Sequence, residues 1–441
     1  VAGRGDFNRF GRCREIEDSL FDQRLLRRTL RYRWYIVLVL AAQYLFVYFH
    51  RVSPAVVATD LMQSFQVSSG ALGLLASAYF YPYAFMQIPV GMLADRWGTR
   101  KTVTLFGFLA GLGAIGFALS PSFVVAVLSR ALVGFGLSAI FVPSMALLCN
   151  WFREREYVIV SGVFLAVGGF GWLTAATPLA LLVQWLGWVA TFILMGCVTL
   201  ALTGLTWLVV ADRPADVGLA SVTRETRAGR APGKLAPGMA RVLKNRGFRP
   251  LALWNIMMGS AFFGFCGLWA GPYLTDVYAL SKPAAGNVLA IIAVALIFGG
   301  PFLSYLSERV FHSRKKVLVG CTVVHLACWL PLLLFPASLP VFVLYAVFFP
   351  MGVTAGASVP VVMTATKELF PIEMAGLSMG MVNIFPFLGG VISQPLIGLL
   401  LDFFKGAGFR NSAAYQFVFL LFFVLDIGAL WVIARARDRT V

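Results

Sequence analysis

Few ionisable side chains interrupt the long apolar runs of this 441-residue chain, and those few are the first guide to a site. His50 and Arg51 stand together in Tyr48-Phe-His-Arg-Val-Ser-Pro54, and Arg130, His325 and Asp426 lie in apolar runs of their own. A charge in an apolar layer is strongly unfavourable unless it is paired or wetted, so such positions mark function or buried pairing. Tyr79, Tyr83 and Gln87 recur every four residues, which places them on one helix face. Two phenols and an amide are unfavourable against lipid, so that face should look inward, and Pro82 should kink the helix there. Asn255 beside Trp254, and Asn383 and Gln394 around Gly389 and Gly390, are polar positions that either line a cavity or bond one helix to another.

The elements that must position these residues follow from composition. Hydrophobic residues form 59% of the chain and charged ones 12%, about half the ~25% of a soluble domain. Lipid is therefore the solvent for most of it. Apolar stretches of ~20 residues recur, at roughly 34–57, 72–93, 103–120, 123–148, 158–183 and 188–211. A second set falls at roughly 251–274, 284–307, 317–335, 339–366, 373–401 and 413–434. Barrel strands are shorter, at ~10 residues, and alternate strictly, so these are helices. The expected fold is an all-α membrane protein of twelve transmembrane helices in two six-helix bundles. Residues 1–33 are polar and arginine-rich, unlike the apolar core of a secretory signal. The six cysteines, Cys13, Cys149, Cys197, Cys266, Cys321 and Cys328, show no paired metal spacing. No metal site and no cofactor are expected.

The net charge of +17 has a pattern. With twelve helices and the N-terminus in the cytoplasm, 31 of the 36 Lys and Arg fall in the terminal segments and alternate loops on one side. This obeys the positive-inside rule. The basic excess thus orients the chain and touches anionic lipid; nucleic-acid binding is not expected. Both termini should be cytoplasmic, and the compact loops suggest a prokaryotic inner membrane.

Five segments follow: a cytoplasmic N-terminal segment 1–33, a bundle 34–211, a cytoplasmic linker 212–250, a second bundle 251–434 and a tail 435–441. The linker holds Arg224, Arg227, Arg230, Lys234, Arg241, Lys244, Arg246 and Arg249, with a short amphipathic helix expected near 238–246. The bundles echo one another. Helix 2 ends in Gly91-Met-Leu-Ala-Asp95-Arg96-Trp-Gly98-Thr-Arg100-Lys101, and helix 8 ends in Glu308-Arg309 followed by Arg314-Lys315-Lys316. Parallel six-helix repeats are a transporter architecture, with the substrate site at their interface.

The segment Gly91–Lys101 resembles the loop signature of the major facilitator superfamily, G-x-L-A-D-R-x-G-x-R-K. Asp95, at a helix end among basic residues, can bond an arginine and accept N–H groups from a neighbouring helix N-terminus. In the family this latch joins the cytoplasmic ends in one state and breaks in the other. The resemblance assigns Gly91, Asp95, Arg96, Gly98, Arg100 and Lys101 to it, with Glu308 and Arg309 as the second-half echo. Arg130-Ala-Leu-Val-Gly134-Phe-Gly136 resembles a second family motif, R-x-x-x-G-x-G, and Arg130 is grouped with the latch. The antiporter motif of helix 5 is partial, with Trp172 where proline is expected.

Helices 1 and 2 look like the organic-anion branch of the superfamily, the anion:cation symporters. In that branch a helix 1 arginine binds the substrate's carboxylate or phosphate, and Arg51 is the matching residue; helix 2 then runs to Gln87-Ile-Pro89-Val-Gly91. A guanidinium stays charged and grips an oxyanion with two parallel bonds. Tyr79, Tyr83, Gln87, Asn255, Asn383 and Gln394 are the further candidate substrate contacts. The branch's helix 4 glutamate is absent, with Leu137 in its place, so His50 and Asp426 are the candidate proton-coupling groups. His325 is expected to be a hydrogen-bonded packing residue.

No phosphate loop, paired metal ligands or nucleophile motif appears, so an enzyme is not expected. The reading is a secondary transporter that moves a small solute by alternating access as a monomer, by proton-coupled symport of an organic anion. The alternatives are proton-linked uptake of amino acids or other zwitterions, efflux of lipophilic compounds, and, in a different class, a non-transporting membrane sensor on the same fold.

Overall fold

The computed structural model describes residues 6–220, 235–371 and 374–436. Among these, eleven helices are long and apolar enough to cross a membrane. They are α1 (Leu25–Ala55), α3 (Thr99–Ala118), α4 (Phe123–Trp151), α5 (Arg155–Thr174), α6 (Thr177–Val209), α7 (Phe248–Asp276), α8 (Lys282–Val310), α9 (Arg314–Leu334), α10 (Val341–Lys367), α11 (Ala375–Gly406) and α12 (Asn411–Ala434). The twelfth crossing, α2 (69–97), runs in three pieces, Ser69–Ser77, Phe80–Met86 and Pro89–Trp97. Its two breaks follow from Pro82 and Pro89. Each lacks an N–H, so the carbonyls four residues earlier, at Ala78 and Phe85, lose their helical partners.

The helix of α1 starts at Asp6, well before the apolar run that begins near Trp34. It is tied down where it meets the bundle. Tyr32 donates to the carbonyl of Val209 at 2.7 Å, and Arg33 grips Glu156 through two bonds of 2.8 and 3.0 Å. In the linker, residues 221–234, with Arg224, Arg227, Arg230 and Lys234, lie outside the described residues, as do residues 437–441 of the tail. The expected short helix is present as Leu235–Lys244, and it buries Val242 in a cluster that includes Phe248 and Leu377.

Helix α7 contains a wide-turn segment, Ser260–Trp269, whose ten residues are all buried. Wide turns shift side chains off the ordinary helical register and recur at functional sites. Here the segment brings both Phe262 and Phe263 to the wall of a central cavity.

The halves α1–α6 and α7–α12 meet tightly on the side of the membrane away from the termini, called the far side below. The start of α2 lies against the end of α11 so closely that a Cβ added to Gly398 would sit 2.2 Å from the carbonyl oxygen of Ser69. Asp402 accepts from the backbone N–H groups of Ser69 (2.9 Å) and Gly70 (2.7 Å). Lys282 bonds Asp60 at 2.7 Å, and Thr177 donates to Asn287 at 2.7 Å. Toward the terminal side the contact loosens, and Gly162, Gly376 and Gly380 face open space. Sequence spacing marks Gly376 and Gly380 for close helix packing; in this conformation they make none.

Candidate functional site

The cavity between the halves has a volume of about 430 Å³ and runs from Arg51 toward the terminal ends of α5, α8 and α10, where Ser161, Ser304 and Pro360 line it. Arg51 lies at its inner end and is 3% exposed. Its guanidinium carbon is 4.5 Å from the ring centre of Tyr48, 4.8 Å from Tyr83 and 4.9 Å from Phe387, with Phe263 at 5.4 Å and Tyr79 at 5.9 Å. Ring faces attract a cation and hold it in a partly dehydrated setting. No carboxylate pairs with Arg51 among the described residues, and its Nε is buried without a hydrogen-bond partner. A buried charge with an unspent Nε–H and no carboxylate partner, at the end of a cavity, is poised for an anion.

Three other helices build this cage. Tyr79 and Tyr83 of α2 stack with ring centres 5.5 Å apart, and the Tyr79 hydroxyl donates to the carbonyl of Val47. Phe263 comes from the wide turn of α7 and Phe387 from α11, so both halves touch the arginine. Gln87 accepts from Asn383 at 3.3 Å, a bond between α2 and α11 across the two halves.

Among the candidate substrate contacts, Arg51, Tyr83 and Asn383 line the cavity. Tyr79 and Gln87 stand directly behind them. Asn255 and Gln394 do not line it. Asn255 donates to the carbonyl of Val382 at 3.1 Å, and Gln394 donates to that of Phe263 at 2.9 Å. Both bond α7 to α11, and Gln394 satisfies a carbonyl inside the wide turn. The sequence reading missed Tyr44 and Tyr48, which line the cavity with Arg51. Their spacing of four and then three residues before Arg51 puts all three on one helix face, a signal that was present.

The proton-coupling candidates lie off the cavity. His50 points to α6, its Nε2 3.2 Å from the Thr199 hydroxyl and its Nδ1 buried without a partner. Asp426 contacts His325 Nδ1 at 2.7 Å, and both are buried between α9 and α12. His325, expected to be a hydrogen-bonded packing residue, is buried with Asp426 as its hydrogen-bond partner.

The latch candidates separate into three places. Arg130 lies far from Asp95, buried behind Tyr79, where it donates to the carbonyl of His50 at 2.9 Å. The loop from α2 to α3 turns at Gly98, whose φ of +84° suits glycine. That turn is pinned by a residue the sequence reading did not single out: Asp212, after α6, accepts from the Arg100 backbone N–H at 2.9 Å. The Arg100 side chain donates to the carbonyl of Trp207. Asp95 itself is exposed and has no partner among the described residues. In the second half Glu308 meets Arg314 at 3.4 Å, and Arg314 reaches Glu368 at 3.4 Å. Arg314, rather than Arg309, is the base of that echo.

Twelve crossings among the described residues, in two halves closed on one side and enclosing a cavity open to the other, are the architecture of a membrane transporter. The model of the Major Facilitator Superfamily matches residues 36–273 and 267–441, and the chain belongs to that superfamily. It is 24% identical to "Uncharacterized transporter YybO" of Bacillus subtilis, over 96% of this chain and 99% of that one. It is 26% identical to "Probable galactarate/D-glucarate transporter GarP" of Escherichia coli, over 84% of this chain and 88% of that one. It is 23% identical to "Probable sulfoacetate transporter SauU" of Cupriavidus necator, over 92% and 94%. Among solved structures, a bacterial homolog of the human lysosomal transporter Spinster, inward-facing and unoccupied, shares the fold with a TM-score of 0.74 at 17% identity, covering 92% of this chain and 97% of that one.

Proposed function

We propose that this transporter carries a small organic anion across the membrane by proton-coupled symport, with Arg51 as the anion-binding group. The observation that carries the reading is the state of Arg51: buried, unpaired by any carboxylate among the described residues, and at the inner end of the cavity between the halves. A guanidinium matches a carboxylate or sulfonate with two parallel bonds. The relatives named for galactarate/D-glucarate and for sulfoacetate handle such groups, which agrees with this role. A cationic drug would be repelled from the same place, which disfavours efflux of lipophilic cations.

Sidedness follows from charge. The basic residues cluster with the termini, so that side is taken as the cytoplasm of the inner membrane, and the conformation is open to it. Tyr83 and Asn383 are the further substrate contacts, from one half each. His50 and the Asp426–His325 pair are the groups available for the coupled proton.

The test is uptake into proteoliposomes under an imposed inward-acid gradient, with labelled carboxylates, amino acids and neutral sugars. Wild type, Arg51→Ala and Arg51→Lys are compared. Carboxylate uptake should fall at least a hundredfold in Arg51→Ala and partly recover in Arg51→Lys, since about 3 kcal/mol attaches to a charge-assisted bidentate contact. Uptake of a neutral or zwitterionic solute that survives both substitutions would demote Arg51 to a structural role.

A further inference from the structure

Beyond Arg51 most of the cavity wall is apolar. Phe141, Leu165 and Ala166 face it from the first half, and Phe262, Leu296 and Ile297 from the second. The polar side chains reaching the same space are the phenols of Tyr44, Tyr48 and Tyr83 beside Arg51, together with Ser161, Ser304 and Asn383. Ser304 donates to the carbonyl of Gly300 at 3.0 Å, and Asn383 donates to Gln87 at 3.3 Å. No Asp, Glu or Lys lines the cavity among the described residues, and Arg51 is its single charge.

From this wall we infer that the cavity takes an anion with one negative charge and an apolar, aromatic body, in preference to a polyhydroxylated sugar acid or a dianion. The inference rests on the reading of Arg51 as the anion-binding group. One guanidinium accommodates one carboxylate. A second carboxylate would leave water with no cation to meet it. The hydroxyls of a sugar acid would also leave water, and away from the phenols beside Arg51 they would meet mostly apolar wall, where Ser304 and Asn383 are already hydrogen-bonded. An aromatic ring has the opposite balance. The rings of Phe141, Phe262, Phe263 and Phe387 offer edge and face contacts, and the volume of about 430 Å³ lies within the ~300–1,000 Å³ of small-molecule sites. The chain would then differ in substrate from the relative named for galactarate, with which it shares 26% identity.

The test is isothermal titration of the full chain in nanodiscs with four probes: 3-phenylpropionate, galactonate, galactarate and the neutral 3-phenylpropanol. Wild type, Arg51→Ala and Leu165→Asn are used. The expected result is 3-phenylpropionate binding at least tenfold tighter than either sugar acid and at least tenfold tighter than the alcohol. That affinity should drop at least tenfold in Arg51→Ala. It should also drop in Leu165→Asn, a variant that keeps the arginine and so guards against a folding defect at Arg51. Arg51-dependent binding of galactonate or galactarate as tight as that of 3-phenylpropionate would overturn the inference while leaving Arg51 as an anion site. Equal binding of 3-phenylpropionate and the alcohol, unchanged by Arg51→Ala, would overturn both. Failure of wild type to bind 3-phenylpropionate would overturn the inference as well.

Discussion

Asp402, near the end of α11, caps the start of α2 by accepting from Gly70 N–H at 2.7 Å, and from Ser69 N–H beside it at 2.9 Å. A carboxylate at a helix N-terminus meets both the unpaired N–H groups and the positive end of the helix dipole. This bond joins the two halves on the far side. It uses the same chemistry, at the opposite end of the same helix pair, that the loop signature offers through Asp95.

Asp402→Asn keeps one acceptor and removes the charge. The closed far side should lose about 1–2 kcal/mol, a shift of roughly fivefold to thirtyfold toward the far-side-open state. Spin labels at Gln63 and Ala279, on exposed far-side segments of the two halves, would report it as growth of a longer-distance population. An unchanged distance distribution would mean that the apolar and glycine contacts close the far side without help from this carboxylate.

Asp95 makes no bond to the described residues in the present conformation, so Asp95→Asn should leave this state intact and destabilise the opposite one. Transport should fall severalfold while binding from the terminal side stays within a factor of two. Asp212→Asn should act differently, because Asp212 already holds Arg100 here. It should loosen the Gly98 turn and lower the melting temperature. Normal turnover in Asp95→Asn would remove the latch from the mechanism.

The helices were legible because lipid imposes one solution on the backbone: every N–H and C=O must be satisfied within the segment, so hydropathy and length mark the spans. Arg51 was legible for the same reason, as a charge where none is expected. The aromatic cage around it was not, since it joins residues of α1, α2, α7 and α11 whose contact exists only in the folded protein. Asp402 looked like an ordinary charge near a helix end. The Asp426–His325 pair spans 101 residues, and nothing local in either run points to the other. Arg130 sat in a recognisable motif, but only the structure places it under His50 rather than beside Asp95.

Proton coupling separates His50 from the Asp426–His325 pair. His50 adjoins Arg51 in the chain and shares its backbone carbonyl with Arg130, so a proton there would be felt at Arg51. The Asp426–His325 pair is buried away from the cavity and supports the second half directly. His50→Ala should abolish acid-driven accumulation while leaving counterflow of substrate in place. Asp426→Asn should chiefly lower thermal stability, by about 1–3 kcal/mol for a weakened buried bond. Full acid-driven uptake in both variants would mean that neither group carries the proton.

Gly398 offers the sharpest test of which state the far-side contact defines. A Cβ there would sit 2.2 Å from the Ser69 carbonyl oxygen and 2.6 Å from its carbon, and both belong to backbone that has no rotamer to yield. Gly398→Val should therefore exclude the present conformation and hold the halves apart on the far side, at the position Asp402 otherwise closes. Net transport should be lost, because alternating access needs both states. Binding should survive, since Arg51, Tyr83 and Phe387 are untouched, but the site should now be reached from the far side. A membrane-impermeant thiol reagent applied from that side to Val56→Cys, in a background lacking other reactive cysteines, should label Gly398→Val at least tenfold faster than the Gly398 parent. Equal labelling, with transport intact, would show that α2 and α11 slide past the added methyls, and the far-side contact would then be packing rather than a gate.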